Sequence, residues 1–147
     1  MIFLDTNIPM YASGADDPYR APCVRVLRLV ERSRSEFITN AEVLQEIIHR
    51  YLAIRRWPDG RGLFNRFASL MAGRIESIHA VDLFRAAELA DHYAGLSARD
   101  CLHAAVIQRL GLKHIASTDK RFDRVDGIER LDPMLVDEWA HLVTEAR

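Results

Sequence analysis

Cysteine is scarce in this chain. Cys23 and Cys101 are the only two in 147 residues, too few for a disulfide framework and in keeping with a reducing cytoplasm. Neither has a C-x-x-C partner, which argues against dithiol redox chemistry and thiolate zinc. No apolar run approaches the roughly 20 residues that span a bilayer. No basic region precedes Ile2-Phe3-Leu4, and Asp5 cuts that run short, so no secretory signal is expected. An excess of one charge sign is also missing. Twenty Lys and Arg face 21 Asp and Glu, a formal charge of −1, which excludes a strongly basic nucleic-acid coat or an acidic tail but leaves local patches open. There is no G-x-x-x-x-G-K-[ST], G-x-G-x-x-G, H-E-x-x-H or G-x-S-x-G, so phosphate-cradling loops, zincin chemistry and a nucleophile elbow lack support. Internal repeats and linkers rich in Gly or Ser are absent. What remains, 49% hydrophobic and 28% charged, is an ordinary globular balance. One soluble, cytoplasmic domain over residues 1–147 is expected.

The pattern alternates short apolar runs with helical periodicity. Ile2-Phe3-Leu4 reads as a buried strand running into a loop, and residues 19–33 as a helix. Phe37-Ile38 is a second strand. Thr39-Asn40-Ala41-Glu42 has the S/T-x-x-E form of a capping box opening a helix to about residue 54. Trp57-Pro58-Asp59-Gly60 breaks it before a helix over 61–72. A strand at 74–78, helices over 81–94 and 98–110, strands at 114–117 and 128–131, and a terminal helix from Pro133 complete the chain. In the helix over 81–94, Leu83, Phe84, Ala87 and Leu89 read as core. The fold class is therefore α/β, a parallel sheet with helices on both faces.

Acids stand where such a fold places ligands, beyond the carboxyl ends of strands. Asp5 follows the first strand and Asp119 the fourth; both readings, ligand and turn or helix cap, are open for each. Asp100 stands in the first turn of a helix that is apolar nearly all round, so it needs a cap, a pair or a cation. As the third residue after Ser97 it also fits a capping box. In the preceding helix, about 100° per residue puts Glu42 opposite the Val43, Leu44, Ile47, Ile48, Tyr51 stripe. Glu46 lies about 60° from Val43, within inward reach, although a solvated position remains open. Among six histidines, His103 reads as a packed or hydrogen-bonded neighbour of Asp100.

Asp5, Glu46, Asp100 and Asp119 in one crevice would repel, by about 4 kcal/mol for two charges 4 Å apart at an effective dielectric of 20. They must bind protons or hard cations, and oxygen-only ligands suit Mg²⁺ or Mn²⁺. The matching chemistry is attack of water on a phosphodiester. Arg50, Arg55, Arg56, Trp57, Arg61 and Arg66 form a basic stretch around an aromatic. It reads either as a solvated helix face or as an RNA-backbone contact, with Arg50, Arg55 and Arg56 foremost.

Four segments, in order, resemble the motifs of PIN-domain proteins, the fold of VapC-type toxin ribonucleases. They are Met1-Ile2-Phe3-Leu4-Asp5-Thr6-Asn7, Val43-Leu44-Gln45-Glu46-Ile47, Leu96 to Ala105 around Asp100, and Ala116 to Asp123 around Asp119. The resemblance implies a three-layer α/β/α domain on a parallel sheet of about five strands. It implies an endoribonuclease dependent on Mg²⁺ or Mn²⁺ that cleaves single-stranded or structured RNA. Asp5, Glu46, Asp100 and Asp119 become the catalytic acids, with Asp5, Asp100 and Asp119 on the metal. It also implies a homodimer and a small antitoxin protein in the active-site groove. Asp123, one turn on, can share or replace the role of Asp119. Asn7 and Thr118 are candidates to orient the carboxylates, against ordinary turn hydrogen bonding. The rivals are a small acidic Mg²⁺-dependent phosphatase, although Asp5-Thr6-Asn7 lacks the second acid of a D-x-D motif, and a non-catalytic RNA- or partner-binding module.

Overall fold

The computed structural model describes residues 1–143. Five parallel strands, β1 (Ile2–Leu4), β2 (Phe37–Asn40), β3 (Ile75–Glu76), β4 (His114–Ala116) and β5 (Glu129–Leu131), lie in the order β3-β2-β1-β4-β5. Their helical connections are α1 (Asn7–Ser13), α2 (Arg20–Arg32), α3 (Ala41–Ala53), α4 (Trp57–Leu70), α5 (Ala80–His92) and α6 (Ala98–Arg109); α7 (Val136–Trp139) follows β5. The layers are α/β/α, as expected. β1 is the central strand, and Ile2, Phe3 and Leu4 are all 2% exposed or less because both of its faces are covered. The strand order reverses between β1 and β4. The crevice beyond their carboxyl ends is thus the topological switch point, the place where open α/β sheets bind ligands.

The helix expected to be apolar all round is α6, and it is buried continuously from Asp100 to Ile107. Other elements differ from the sequence reading for identifiable reasons. The loop after β1 is only Asp5-Thr6, and α1 begins at Asn7. Thr39 is not the cap of α3: it still belongs to β2 and donates its hydroxyl to Leu4 O, at 3.0 Å. Asn40 is the cap, accepting the Val43 N–H at 3.0 Å. Trp57-Pro58-Asp59-Gly60 is the first turn of α4 rather than a break. Proline suits that position, and a side chain at Gly60 would collide with Tyr51 of α3, a Cβ there lying 2.3 Å from the Tyr51 Cβ. The break between the two helices falls at Arg55, whose φ of 56° is left-handed.

Glu42 is not solvent-facing. Its side chain is 22% exposed and lies 3.7 Å from Arg99, a residue of α6 that the helical wheel of α3 does not contain. On α5, only Leu89 of the four apolar residues assigned to the core is buried. Leu83, Phe84 and Ala87 are exposed, Phe84 at 75%, because α5 packs on α6 through Asp82, Ala86 and Leu89. After Pro133 the chain makes a single 3₁₀ turn, α7, and another 3₁₀ turn at Ala140–Leu142. The rest of the terminal helix expected there lies outside the described residues. Among the described residues no helix is long and apolar enough to cross a membrane.

Candidate active site

Asp5 is held from two strands. Its backbone N–H continues the β1–β4 ladder to Ala116 O at 3.1 Å. Its Oδ1 accepts the Thr6 N–H at 2.8 Å, and its Oδ2 accepts Asn7 Nδ2 at 3.0 Å and the Ser117 hydroxyl at 2.6 Å. Asn7 also takes the Thr118 N–H on its Oδ1 at 3.1 Å, clipping the loop after β1 to the loop after β4. Thr118 thus contributes a backbone amide. Ser117 additionally receives the Asp119 N–H at 3.0 Å.

Glu46 projects inward from α3, as its angular position predicts, and is 9% exposed. The Thr6 hydroxyl donates to its Oε2. Its Oε1 stands 3.3 Å from His103 Nε2 and 3.6 Å from Arg99 Nε. His103 is 1% exposed, its Nε2 is 3.9 Å from Asp5 Oδ1, and that nitrogen forms no hydrogen bond. Asp5, Glu46 and His103 each offer a ligand atom within 4.8 Å of the others. The neighbours of the His103 ring are therefore Asp5, Glu46 and Asn40 rather than Asp100, which lies one turn back on the same helix.

Asp100 fulfils the capping-box reading. Its Oδ2 accepts the Ser97 N–H, and its own N–H reaches Ser97 Oγ, both at 3.1 Å. Asp119 caps the 3₁₀ turn at Lys120–Arg124 and holds Arg121 with contacts of 2.8 to 3.1 Å. Arg121 Nε is also 3.7 Å from Asp100 Oδ2, so one guanidinium links these two acids. Asp123 turns instead to Arg130, at 2.9 Å, with half of its side chain exposed. Capping does not consume these carboxylates: each keeps oxygen lone pairs beyond those accounted for.

The electrostatics divide the acids. Burial raises the Asp5 pKa above the ordinary aspartate value, and Glu46 adds to the rise, while His103 and Ser117 oppose it. Burial would raise Glu46 too, but the His103 ring, the Thr6 hydroxyl and Arg99 outweigh it and bring the carboxyl below its usual range. Asp119 also sits low, because Arg121 overcomes its burial. Burial alone would lower His103; the Glu46 and Asp5 carboxylates reverse that and raise it.

Thr6, Ser117, Arg99 and Arg121 were not singled out in the sequence. Their only signal is adjacency, since each lies within two residues of Asp5, Asp100 or Asp119. A groove of about 900 Å³ starts at Asn7 and runs between α1 and the α3–α4 pair, past Tyr11, Arg50, Tyr51, Arg56 and Arg66. Arg56 is paired with Asp59 at 2.8 Å, and Arg55 lies outside the groove lining.

The PIN-domain family model matches residues 2–128. The chain belongs to the PIN-domain family. Within it, ribonuclease VapC13 of Mycobacterium tuberculosis is 37% identical over 131 residues, 89% of this chain and 99% of that relative. Ribonuclease VapC23 of the same species is 34% identical over 119 residues, 81% and 93% of the two chains. PIN-domain architecture is shared with FitAcB from Neisseria gonorrhoeae, with a TM-score of 0.68, 21% identity, and 91% and 99% coverage. It is shared also with M. tuberculosis VapC20, a sarcin-ricin loop cleaving toxin, with a TM-score of 0.64, 19% identity, and 82% and 91% coverage.

Proposed function

We propose that this PIN-domain protein is an endoribonuclease dependent on Mg²⁺ or Mn²⁺, and the toxin of a toxin–antitoxin pair, cleaving single-stranded or structured RNA. The observation that carries the reading is the buried meeting of Asp5 and Glu46 at the switch point of the sheet, with no guanidinium or ammonium among the described residues hydrogen-bonded to either, Arg99 standing 3.6 Å from Glu46. Two buried carboxylates facing one another without a hydrogen-bonded cation are costly. A hard divalent ion fits the donor set, because Asp5 Oδ1 and Glu46 Oε1 face the same space while Oδ2 and Oε2 are engaged by Asn7, Ser117 and Thr6.

Asp5 and Glu46 would hold the ion, with Asp100 and Asp119 completing the set. When bound, it supplies Lewis acidity to the phosphate and lowers the pKa of the attacking water. The chain's own residues orient and balance. Thr6, Asn7 and Ser117 lock the carboxylates in place. Arg99 and Arg121, on the rim, present guanidiniums suited to backbone phosphates. The overall reaction adds water across one P–O bond of the RNA backbone, the leaving oxygen taking up a proton. Arg50 and Arg56 in the groove, and the exposed Arg55, are the proposed contacts to the RNA backbone. Thr118, through its amide, and Asp123, through Arg130, support the loop after β4.

VapC ribonucleases among the relatives, and VapC20 among the structural neighbours, support the RNA substrate. Two-component neighbours, VapBC2 of Rickettsia felis and FitAB, support an antitoxin partner, for which the groove beside Asn7 offers a seat. We place the active form in the cytoplasm as a homodimer of single-domain chains. The test is cleavage of a panel of labelled RNAs by purified protein with Mn²⁺, with chelator, and by Asp5→Asn. Cutting is expected only by the wild type with the metal. Equal cutting in chelator contradicts the metal dependence, and equal cutting by Asp5→Asn contradicts the site.

A further inference from the structure

The Asp5, Glu46 and His103 cluster has the composition of a mixed nitrogen–oxygen metal site. Its wiring points elsewhere. The Val43 N–H is a donor and nothing else, so the Asn40 atom that caps α3 at 3.0 Å must be the carbonyl oxygen Oδ1. That fixes the amide's orientation and leaves Nδ2, also a pure donor, facing His103 Nδ1 at 3.0 Å. His103 Nδ1 must therefore accept. The proton of the neutral ring sits on Nε2, the buried nitrogen aimed at Glu46 Oε1 and Asp5 Oδ1.

A histidine that ligates through Nε2 needs its proton on Nδ1 and an acceptor there to receive it. Asn40 supplies a donor instead. Two N–H groups facing each other at 3.0 Å would abolish one hydrogen bond and set the dipoles in opposition. Phe3 packs against the same ring, 5.3 Å between centroids, and limits its reorientation.

We propose that His103 is a positioning residue locked by Asn40 in the Nε2–H tautomer, which aims its N–H between the Glu46 and Asp5 carboxylates and is barred from ligating. Three consequences follow for the site proposed above, on which this inference rests. The donors open to an ion are oxygens only, which favours Mg²⁺ and Mn²⁺ over imidazole-preferring Zn²⁺ and Ni²⁺. The N–H offsets part of the repulsion between two carboxylates whose one nearby guanidinium among the described residues, Arg99, stands 3.6 Å from Glu46 without a hydrogen bond. The cap of α3 and the orientation of the acids share one side chain, Asn40, so the start of that helix is coupled to the geometry of the site.

The test begins without metal. Long-range ¹H–¹⁵N correlation on the apoprotein, at a pH alkaline enough to keep the His103 ring neutral, is expected to show it protonated on Nε2 and bare on Nδ1. A proton on Nδ1 of the neutral ring overturns the assignment. Asn40→Asp keeps a capping oxygen but presents an acceptor to the ring, so it is expected to bring a proton onto Nδ1 and raise Zn²⁺ affinity relative to Mn²⁺ at least tenfold. An unchanged ring spectrum in that variant also overturns the proposal. His103→Ala is expected to weaken Mn²⁺ binding by calorimetry about 10- to 100-fold, and His103→Gln, which returns an N–H donor, to recover part of it. Equal Mn²⁺ affinity in wild type and His103→Ala contradicts the positioning role. Wild-type protein that binds no Mn²⁺ sinks the nuclease reading instead, and the apoprotein spectrum still decides the tautomer.

Discussion

Two helices of this protein start with a buried acid three residues past the cap, and the two acids end in opposite circumstances. Asp82 of α5 accepts the His79 N–H at 2.8 Å and two bonds from Arg109, at 2.7 and 3.0 Å, with its side chain 1% exposed. Arg109 also reaches Glu76 and the Ser77 carbonyl, joining β3, α5 and α6. In that cluster the guanidinium neutralises both acids directly. Asp100 of α6 accepts its own cap, but the nearest guanidinium stays at 3.7 Å, and beyond it Asp5 and Glu46 meet among hydroxyls, amides and one imidazole, with the Arg99 guanidinium no nearer than 3.6 Å to Glu46. The same ingredients make a rivet in one place and a receptor in the other. What separates them is whether a cationic side chain closes the hydrogen-bond valence of the acids.

The contrast is sharpest in what each acid's loss should do. Asp5→Asn is expected to lower metal-dependent RNA cleavage by about a thousandfold or more, the several-kcal/mol scale of a metal's Lewis acidity, while thermal melting moves by only about 3 °C. A collapse in melting temperature would place Asp5 in the same class as Asp82. Arg109→Ala reverses the pattern. Breaking a buried pair and stranding Asp82 costs about 3 kcal/mol, roughly 10 °C in melting temperature, with activity per folded molecule retained.

The pairing also sets an acid limb. Arg109 holds the Asp82 carboxyl below its ordinary value, so its stabilisation is fully present above the usual aspartate range and is lost as pH falls through the depressed folded value. Denaturant unfolding as a function of pH should therefore show a shallower acid loss in Asp82→Asn than in wild type. The smallest effect belongs to the rim. Removing Arg121 frees Asp119, whose pKa should rise toward its ordinary value. Mn²⁺ binding measured calorimetrically should tighten roughly three- to tenfold, about 1 kcal/mol of screened charge. Weaker binding in Arg121→Ala would instead make Arg121 part of the receptor's support.

The sheet and most of its helices were legible because strand-forming triplets and helical stripes are local signals, and because Asp5 and Asp119 stand at strand ends, where open sheets bind. Glu46 was legible from angle alone. Glu42 was not, because the Arg99 that shelters it comes from another helix. Phe84 shows the same limit in reverse: an apolar residue on a helix has a face, but periodicity does not say whether a neighbour covers it. Thr39 and Asn40 are both good caps, and the register of β2, which keeps Thr39 in the sheet, chose between them. His103 was recognisable as buried, yet its role depends on Asn40, 63 residues earlier in the chain.

The most direct measurement is a crystal soaked in Mn²⁺ and examined by anomalous scattering. A peak is expected between Asp5 Oδ1 and Glu46 Oε1, with none at the Asp82–Arg109 pair. Clear maps showing both carboxylates in place and no anomalous density between them, at metal concentrations that saturate RNA cleavage, would contradict it.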